Sequence, residues 1–157
     1  MANFHDMPGH LIRRLHQISL SVFAERTAAA GFDLTPVQYA ALNAISIAPG
    51  MDQATLAGTI AYDRATIGGV VDRLVAKGLV ARQTSKRDRR ARELVITGDG
   101  ADILSGVSPV VEALQTTILA GLNSQEQAQF TALLQKTTQA GNQLSRAPAR
   151  EPDQLSQ

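Results

Sequence analysis

The sequence predicts a mainly α-helical chain with one small β-hairpin, in the order α-α-α-α-β-β-α-α. Three observations predict it. Apolar residues recur at three- and four-residue steps over most of the chain, the period of a one-sided helix. Two short strand-like runs, 79–84 and 94–96, interrupt that period, and a cluster of Lys and Arg separates them. Four of the helical stretches open on a side chain able to cap them, and two close on glycine.

Composition narrows the class. The 157 residues suit one domain or one compact two-part unit, and 44% hydrophobic content is enough for a core. Aromatics make up 4% and Trp is absent, which argues against stacking on single-stranded bases. With no cysteine there is no disulfide, thiolate metal site or thiol switch. The start MANFHDMPGHLIRRL lacks the apolar core of a signal peptide, and no apolar run is long enough to cross a membrane. A soluble, cytoplasmic protein without membrane partners is expected.

Residues 1–9 read as a loose N-terminal arm. Helix 10–30 follows, with Leu11, Leu15, Ile18 and Val22 in a stripe, Ile12 and Phe23 beside it, and Gly31 as the stop. Arg14 and His16 flank the stripe on opposite sides. Thr35-Pro36-Val37-Gln38 opens the second helix as a capping box with Pro at its first position. Tyr39, Leu42 and Ile45 face inward, and Pro49-Gly50 turns the chain. Asp52 caps a short third helix anchored by Leu56 and Ile60.

Asp63 caps a fourth helix, 63–77, with Gly78 placed as its left-handed terminator. Its apolar side is Ile67, Val70, Val71, Leu74 and Val75. Ala65, Thr66, Gly69, Asp72 and Arg73 lie on other sides, and Arg64 is free to swing outward from the first turn. Gly68-Gly69 inside a helix costs roughly 0.5–1 kcal/mol per glycine relative to Ala, which implies a close approach by something. Two approaches are open: a nucleic-acid backbone or base edge, or a neighbouring helix. Thr66 reads equally as a base contact or as a hydroxyl satisfied by its own backbone.

The last two helices are 101–122, with Ile103, Leu104, Val107, Val111, Leu114 and Ile118 in a stripe and Pro109 expected to kink it, and a helix opened by Ser124 and Gln127 as a capping box. Phe130, Leu133, Leu134 and Leu144 are its apolar residues. Residues 147–157 read as a disordered tail. Helices 10–34 and 101–146 are amphipathic and distant in sequence, so one joint bundle, closed against a second copy by two-fold symmetry, uses their stripes economically. Residues 35–100 form the remaining unit.

That unit pairs a short helix, a tight turn and a longer helix with a cationic β-ribbon. The spacing is that of a helix-turn-helix, and the ribbon makes it a winged helix. Six of the 15 Lys and Arg fall between positions 82 and 92 with one acid, Asp88, so this segment carries +5 in a chain of net +1. Such local concentration suits contact with the phosphates of double-stranded DNA.

The run DRATIGGVVDRLVAKGLVARQTSKRDRRARELVIT resembles the recognition helix and wing of MarR-type transcriptional regulators. The Asp-x-Arg of the wing is met by Asp88 and Arg90, and the strand end by Leu94 to Thr97 with Gly100 beyond. The resemblance covers about residues 10 to 145. It implies a dimeric winged-helix repressor on a pseudo-palindromic operator. Asp63 to Arg73 would lie in the major groove, with Arg64, Ala65, Thr66, Gly68, Gly69 and Arg73 at the duplex. Arg82, Lys86, Arg87, Arg89 and Arg90 would serve the wing, and Asp88 would pair with Arg90 to hold it. The segments GHLIRR and TPVQYAAL further resemble regulators of aromatic-acid breakdown, which implies an aromatic acid or its CoA thioester as effector. Its pocket would lie where the first two helices meet the winged helix, and His10, Arg14, His16 and Tyr39 are the candidate ligand-binding groups.

No catalytic residue, cofactor or metal site is expected. The three His all lie near the N-terminus, and neither a phosphate loop nor an H-E-x-x-H pattern is present. Two rivals remain: a non-specific architectural DNA binder, which the overall charge of +1 disfavours, and a winged-helix protein-interaction module, which the cationic wing disfavours.

Overall fold

The computed structural model describes residues 3–86 and 88–150. Among the described residues, six α-helices and a two-stranded antiparallel sheet follow the expected order. Helix α1 (Pro8–Ala29) starts two residues earlier than expected because Pro8 takes the first helical position. Part of the anticipated loose arm is also ordered: Asn3 caps a short 3-10 turn over Phe4–Asp6.

Helix α2 (Pro36–Ile47) has the full capping box of Thr35 and Gln38. Asp52 caps α3 (Gln53–Thr59) by accepting from the Thr55 N–H at 2.7 Å. A tight turn follows, with Ala61 at a φ of 52°, a left-handed conformation unusual for a residue with a Cβ. Asp63 then caps α4 (Arg64–Ala76), and Gly78 ends it at a φ of 72°.

Strands β1 (Val80–Thr84) and β2 (Arg92–Ile96) pair with Val80 opposite Ile96 and Thr84 opposite Arg92. The chain at Gly50 and Met51 extends the ladder on the far side of β2. Gly50 N–H donates to the Leu94 carbonyl and Leu94 N–H to the Met51 carbonyl, both at 2.8 Å. Both sides of β2 therefore find backbone partners, which fixes the wing's root on the body.

Two more helix starts depart from the sequence reading. Helix α5 (Gly98–Ile118) begins three residues early, because Thr97 is its cap rather than the end of a turn. Its third residue, Gly100, sits so close against the Leu79 carbonyl that a Cβ would overlap the oxygen. The helix runs on through Pro109, whose missing N–H leaves the Ser105 carbonyl without its intrahelical donor. Helix α6 (Ser124–Ala140) is capped by Asn123 with Glu126 in the box, one residue before the expected Ser124 and Gln127. Leu144 lies beyond α6 in a short 3-10 turn and is exposed.

The core is one cluster. Leu42 and Ile45 of α2, Leu56 of α3, Ile67, Val71 and Leu74 of α4, Val80 and Leu94 of the sheet and Val107 of α5 are all fully buried. Outside it, α1 packs along α5 but buries only Phe23 and Thr27. Helix α6 buries none of its residues, and Leu11, Ile12, Ile18, Leu133 and Leu134 are exposed. The chain beyond Ala147 is not loose as far as Arg150: Asn142 exchanges two hydrogen bonds with Ala149, and the Arg150 N–H donates to the Gly58 carbonyl at 2.9 Å. The rest of the expected tail lies outside the described residues.

Candidate nucleic-acid interface

Helix α4 turns Ile67, Val70, Val71 and Leu74 into the core and leaves Arg64, Ala65, Thr66, Gly69, Asp72 and Arg73 exposed. A 13-residue helix backed by a rigid core fits the dimensions of a major groove. The glycine pair is not explained by packing. A Cβ at Gly69 would meet no atom within 4 Å, and one at Gly68 would touch only the Gln53 amide at an ordinary 3.7 Å. Within the described chain no neighbouring helix comes close enough to require glycine at either position. Thr66 donates its hydroxyl to the Asp63 carbonyl at 3.1 Å, which satisfies the donor while the residue stays exposed.

The wing's tip is closed by short-range polar contacts. The Ser85 N–H donates to the Ala91 carbonyl, Ala91 N–H to the Asp88 carbonyl, and Asp88 N–H to the Ser85 hydroxyl. Asp88 does hold the tip, but through a different atom of Arg90. Its carboxylate accepts from the Arg90 backbone N–H at 2.9 Å, an Asx-turn, and the Arg90 guanidinium forms no ion pair with it. Lys86, Arg89 and Arg90 are exposed, and Arg87 lies outside the described residues. Among the described residues the ion pairs are Lys77–Asp33 and Arg82–Asp72, so the described tip cations are not committed to carboxylates.

Arg82 is placed differently from the other wing cations. Its guanidinium sits 2.5 Å from the Asp72 carboxylate of α4 and 2.9 Å from the Gln53 amide oxygen of α3. It clamps strand, recognition helix and preceding helix together, instead of standing free for a phosphate as its place in the cationic run implied. Gln53 is a residue that the sequence did not single out. It lies between Gly68 and Arg82, and nothing in the local pattern marks it beyond its place after the Asp52 cap.

The four candidate effector groups are not brought to one place. Tyr39 is half-buried, tilts against Phe23 and donates to the Ser108 hydroxyl at 3.4 Å. It lines a cleft of about 510 Å³ with Asn43, Ile47, Met51 and Ile60. His10 stands edge-on to Phe4 and His5 and near Arg13 at the other end of α1. Arg14 and His16 are exposed, and none of these three lines the Tyr39 cleft. Among the described residues no cluster of three or more His, Cys, Asp or Glu could hold a metal, and no helix is long and apolar enough to cross a membrane.

Comparison with known proteins agrees with this geometry. The model of the MarR family matches residues 32–91, from the loop before α2 to the tip of the wing, just short of β2. The transcriptional regulator HosA of Escherichia coli O157:H7 is 33% identical over 104 residues, covering 66% of this chain and 77% of its own. The HTH-type transcriptional repressor NicR of Pseudomonas putida is 32% identical over 131 residues, covering 83% of this chain and 82% of its own. Among solved structures, that of Bordetella bronchiseptica BpsR, whose DNA binding is regulated by 6-hydroxynicotinic acid, superimposes with a TM-score of 0.81 at 28% identity, over 88% of this chain and 97% of that one. A cationic wing clamped to an open recognition helix, and relatives that match it over most of their length, place the chain among transcriptional regulators: it belongs to the MarR family.

Proposed function

We propose that this regulator is a homodimeric repressor that grips a pseudo-palindromic operator and lets go when an aromatic acid or its CoA thioester binds. The observation that carries the DNA half is the clamp of Arg82 on Asp72, which fixes the cationic wing relative to the open face of α4. Arg64, Thr66 and Arg73 would read bases in the major groove, with Gly68 and Gly69 letting the duplex come close. Lys86, Arg87, Arg89 and Arg90 would meet phosphates and the minor groove, and supply most of the affinity.

Dimerisation is supported by the uncovered apolar residues of α1 and α6, which a second copy related by two-fold symmetry would bury. Two recognition helices would then address half-sites roughly 10 bp apart. The effector class follows the relatives: BpsR responds to 6-hydroxynicotinic acid, an aromatic acid. An acid of this kind would use the Tyr39 cleft for its ring and a second copy's His10, Arg14 or His16 for its carboxylate, since within one chain these three do not line that cleft. It would act by favouring a spacing of the two helices that no longer fits the operator.

The test is fluorescence anisotropy of the purified protein on a duplex from upstream of its own coding sequence, with and without aromatic acids. Tight binding that is released by at least one such acid supports the reading. Binding that no aromatic acid alters removes the effector half and leaves the DNA half standing.

A further inference from the structure

We infer that residues 146–150 form a second phosphate-binding arm, set beside the first turn of the recognition helix and separate from the wing. This rests on the reading of α4 as the DNA-contacting helix. The arm is built, not loose. Asn142 holds Ala149 by donating to its carbonyl at 2.9 Å and accepting from its N–H at 2.8 Å. The next residue, Arg150, donates its backbone N–H to the Gly58 carbonyl of α3 at 2.9 Å. Its side chain lies over Gly58 so closely that a Cβ there would come 3.3 Å from the Arg150 Cβ and 3.4 Å from its Cδ. A larger residue at position 58 would push the arm away.

This docking gathers charge. Arg146, Arg150 and Arg64 line one cleft of about 330 Å³ with Gly58, Tyr62 and Asp63. Among the described residues the one carboxylate lining that cleft, Asp63, is already accepting from the Ala65 N–H at 3.0 Å as the cap of α4. None of the three guanidiniums enters an ion pair among the described residues. Among the described residues, three arginines stand against one committed acid, a balance that favours an anion. Arg64 opens the recognition helix, so a duplex seated on α4 carries its phosphates past this cleft. Duplex DNA presents one negative charge per about 1.7 Å of axis, so an arm here meets phosphates whatever the sequence.

The experiment compares the full chain, Arg146→Gln/Arg150→Gln and Arg146→Lys/Arg150→Lys by anisotropy over a range of salt concentrations. One duplex comes from the upstream region and another is unrelated and of equal length. The Gln pair is expected to bind both duplexes about fivefold or more weakly at low salt. Its salt slope should be less negative by roughly two to four, because each phosphate left unneutralised accounts for about 0.9 and a dimer carries two arms that each meet one or two phosphates. The Lys pair should retain most of the affinity. Should the Gln pair not fold, Arg146→Gln alone leaves the Arg150 anchor on Gly58 in place and is expected to show part of the same loss and slope change. Unchanged affinity and slope overturn the inference, and tighter binding overturns it in favour of an arm that shields the helix. If the wild-type chain ignores both duplexes, the DNA reading falls with it; if it binds and the Gln pair binds equally, only this inference falls.

Discussion

The Arg82 guanidinium and the Asp72 carboxylate meet at 2.5 Å, joining the first strand of the wing to the outer face of the recognition helix. Asp72 stands largely in solvent and Arg82 partly so, and water screens the pair to a contribution to global stability on the order of 0.2–1 kcal/mol. Its use is geometric: it fixes the distance between the two surfaces that would enter adjacent grooves. Arg82→Ala and Asp72→Ala should each weaken DNA binding while moving the urea midpoint only slightly. A double-mutant cycle should show the two changes to be non-additive. Fully additive losses of affinity would mean that Arg82 meets DNA on its own account.

Two glycines should respond oppositely to the same change. Gly100→Ala drives a methyl into the Leu79 carbonyl, and this overpacking should cost about 1–3 kcal/mol or more in urea unfolding. Gly69→Ala meets open space and removes a helix-interior glycine, so stability should rise by about 0.5–1 kcal/mol. If the duplex approaches α4 as closely as proposed, Gly69→Ala gains stability and loses DNA affinity together. A variant gaining both would show that nothing comes near that position.

The wing tip depends on one carboxylate. Asp88→Ala removes the acceptor for the Arg90 N–H and should loosen the tip, weakening DNA binding with little change in unfolding midpoint. Asp88→Asn keeps an acceptor oxygen and should retain more of the affinity than Ala does. Equal losses for Asn and Ala would assign the effect to charge instead of to the turn.

Calorimetry on effector candidates tests the proposed pocket. Arg14→Ala should reduce the affinity for an aromatic acid by about tenfold, roughly 1.4 kcal/mol, if its guanidinium meets the carboxylate. A change below about a factor of two, under half a kcal/mol, removes Arg14 from the site. Tyr39→Ala empties one wall of the cleft and should weaken the same ligand independently.

The helices whose apolar residues stand uncovered predict the assembly. A charged residue at Leu133, 61% exposed in one chain, should leave the winged-helix core folded and shift sedimentation from dimer to monomer. A wild-type chain that sediments as a monomer at micromolar concentration would leave those surfaces to another partner.

How far the sequence could be read varied with the range of the interactions. Local chemistry was legible: the Thr35 box, the Asp52 and Asp63 caps and Gly78 each act within a few residues, and each stands where the pattern put it. Ambiguity arose where neighbours offered the same chemistry. Asn123 and Ser124 both cap well, each has a suitable residue three positions on, and the choice fell to Asn123. Gly98 and Gly100 looked like a turn, yet Gly100 is a glycine because the Leu79 carbonyl, 21 residues earlier, leaves no room for a Cβ. Arg82 looked like its cationic neighbours until the fold brought Asp72 and Gln53 against it. Residues 147–150 read as disorder from composition alone, and only the distant partners Asn142 and Gly58 give them a place.

The most direct test of the central claim is the affinity of the full chain for a duplex from its own upstream region, measured against salt concentration and against excess unrelated DNA. Specific binding at least about a thousandfold tighter than to unrelated sequence, with log affinity falling steeply and linearly in log salt, is the predicted result. Failure to bind that duplex at low salt, or binding unaffected by Arg89→Ala/Arg90→Ala, would contradict it.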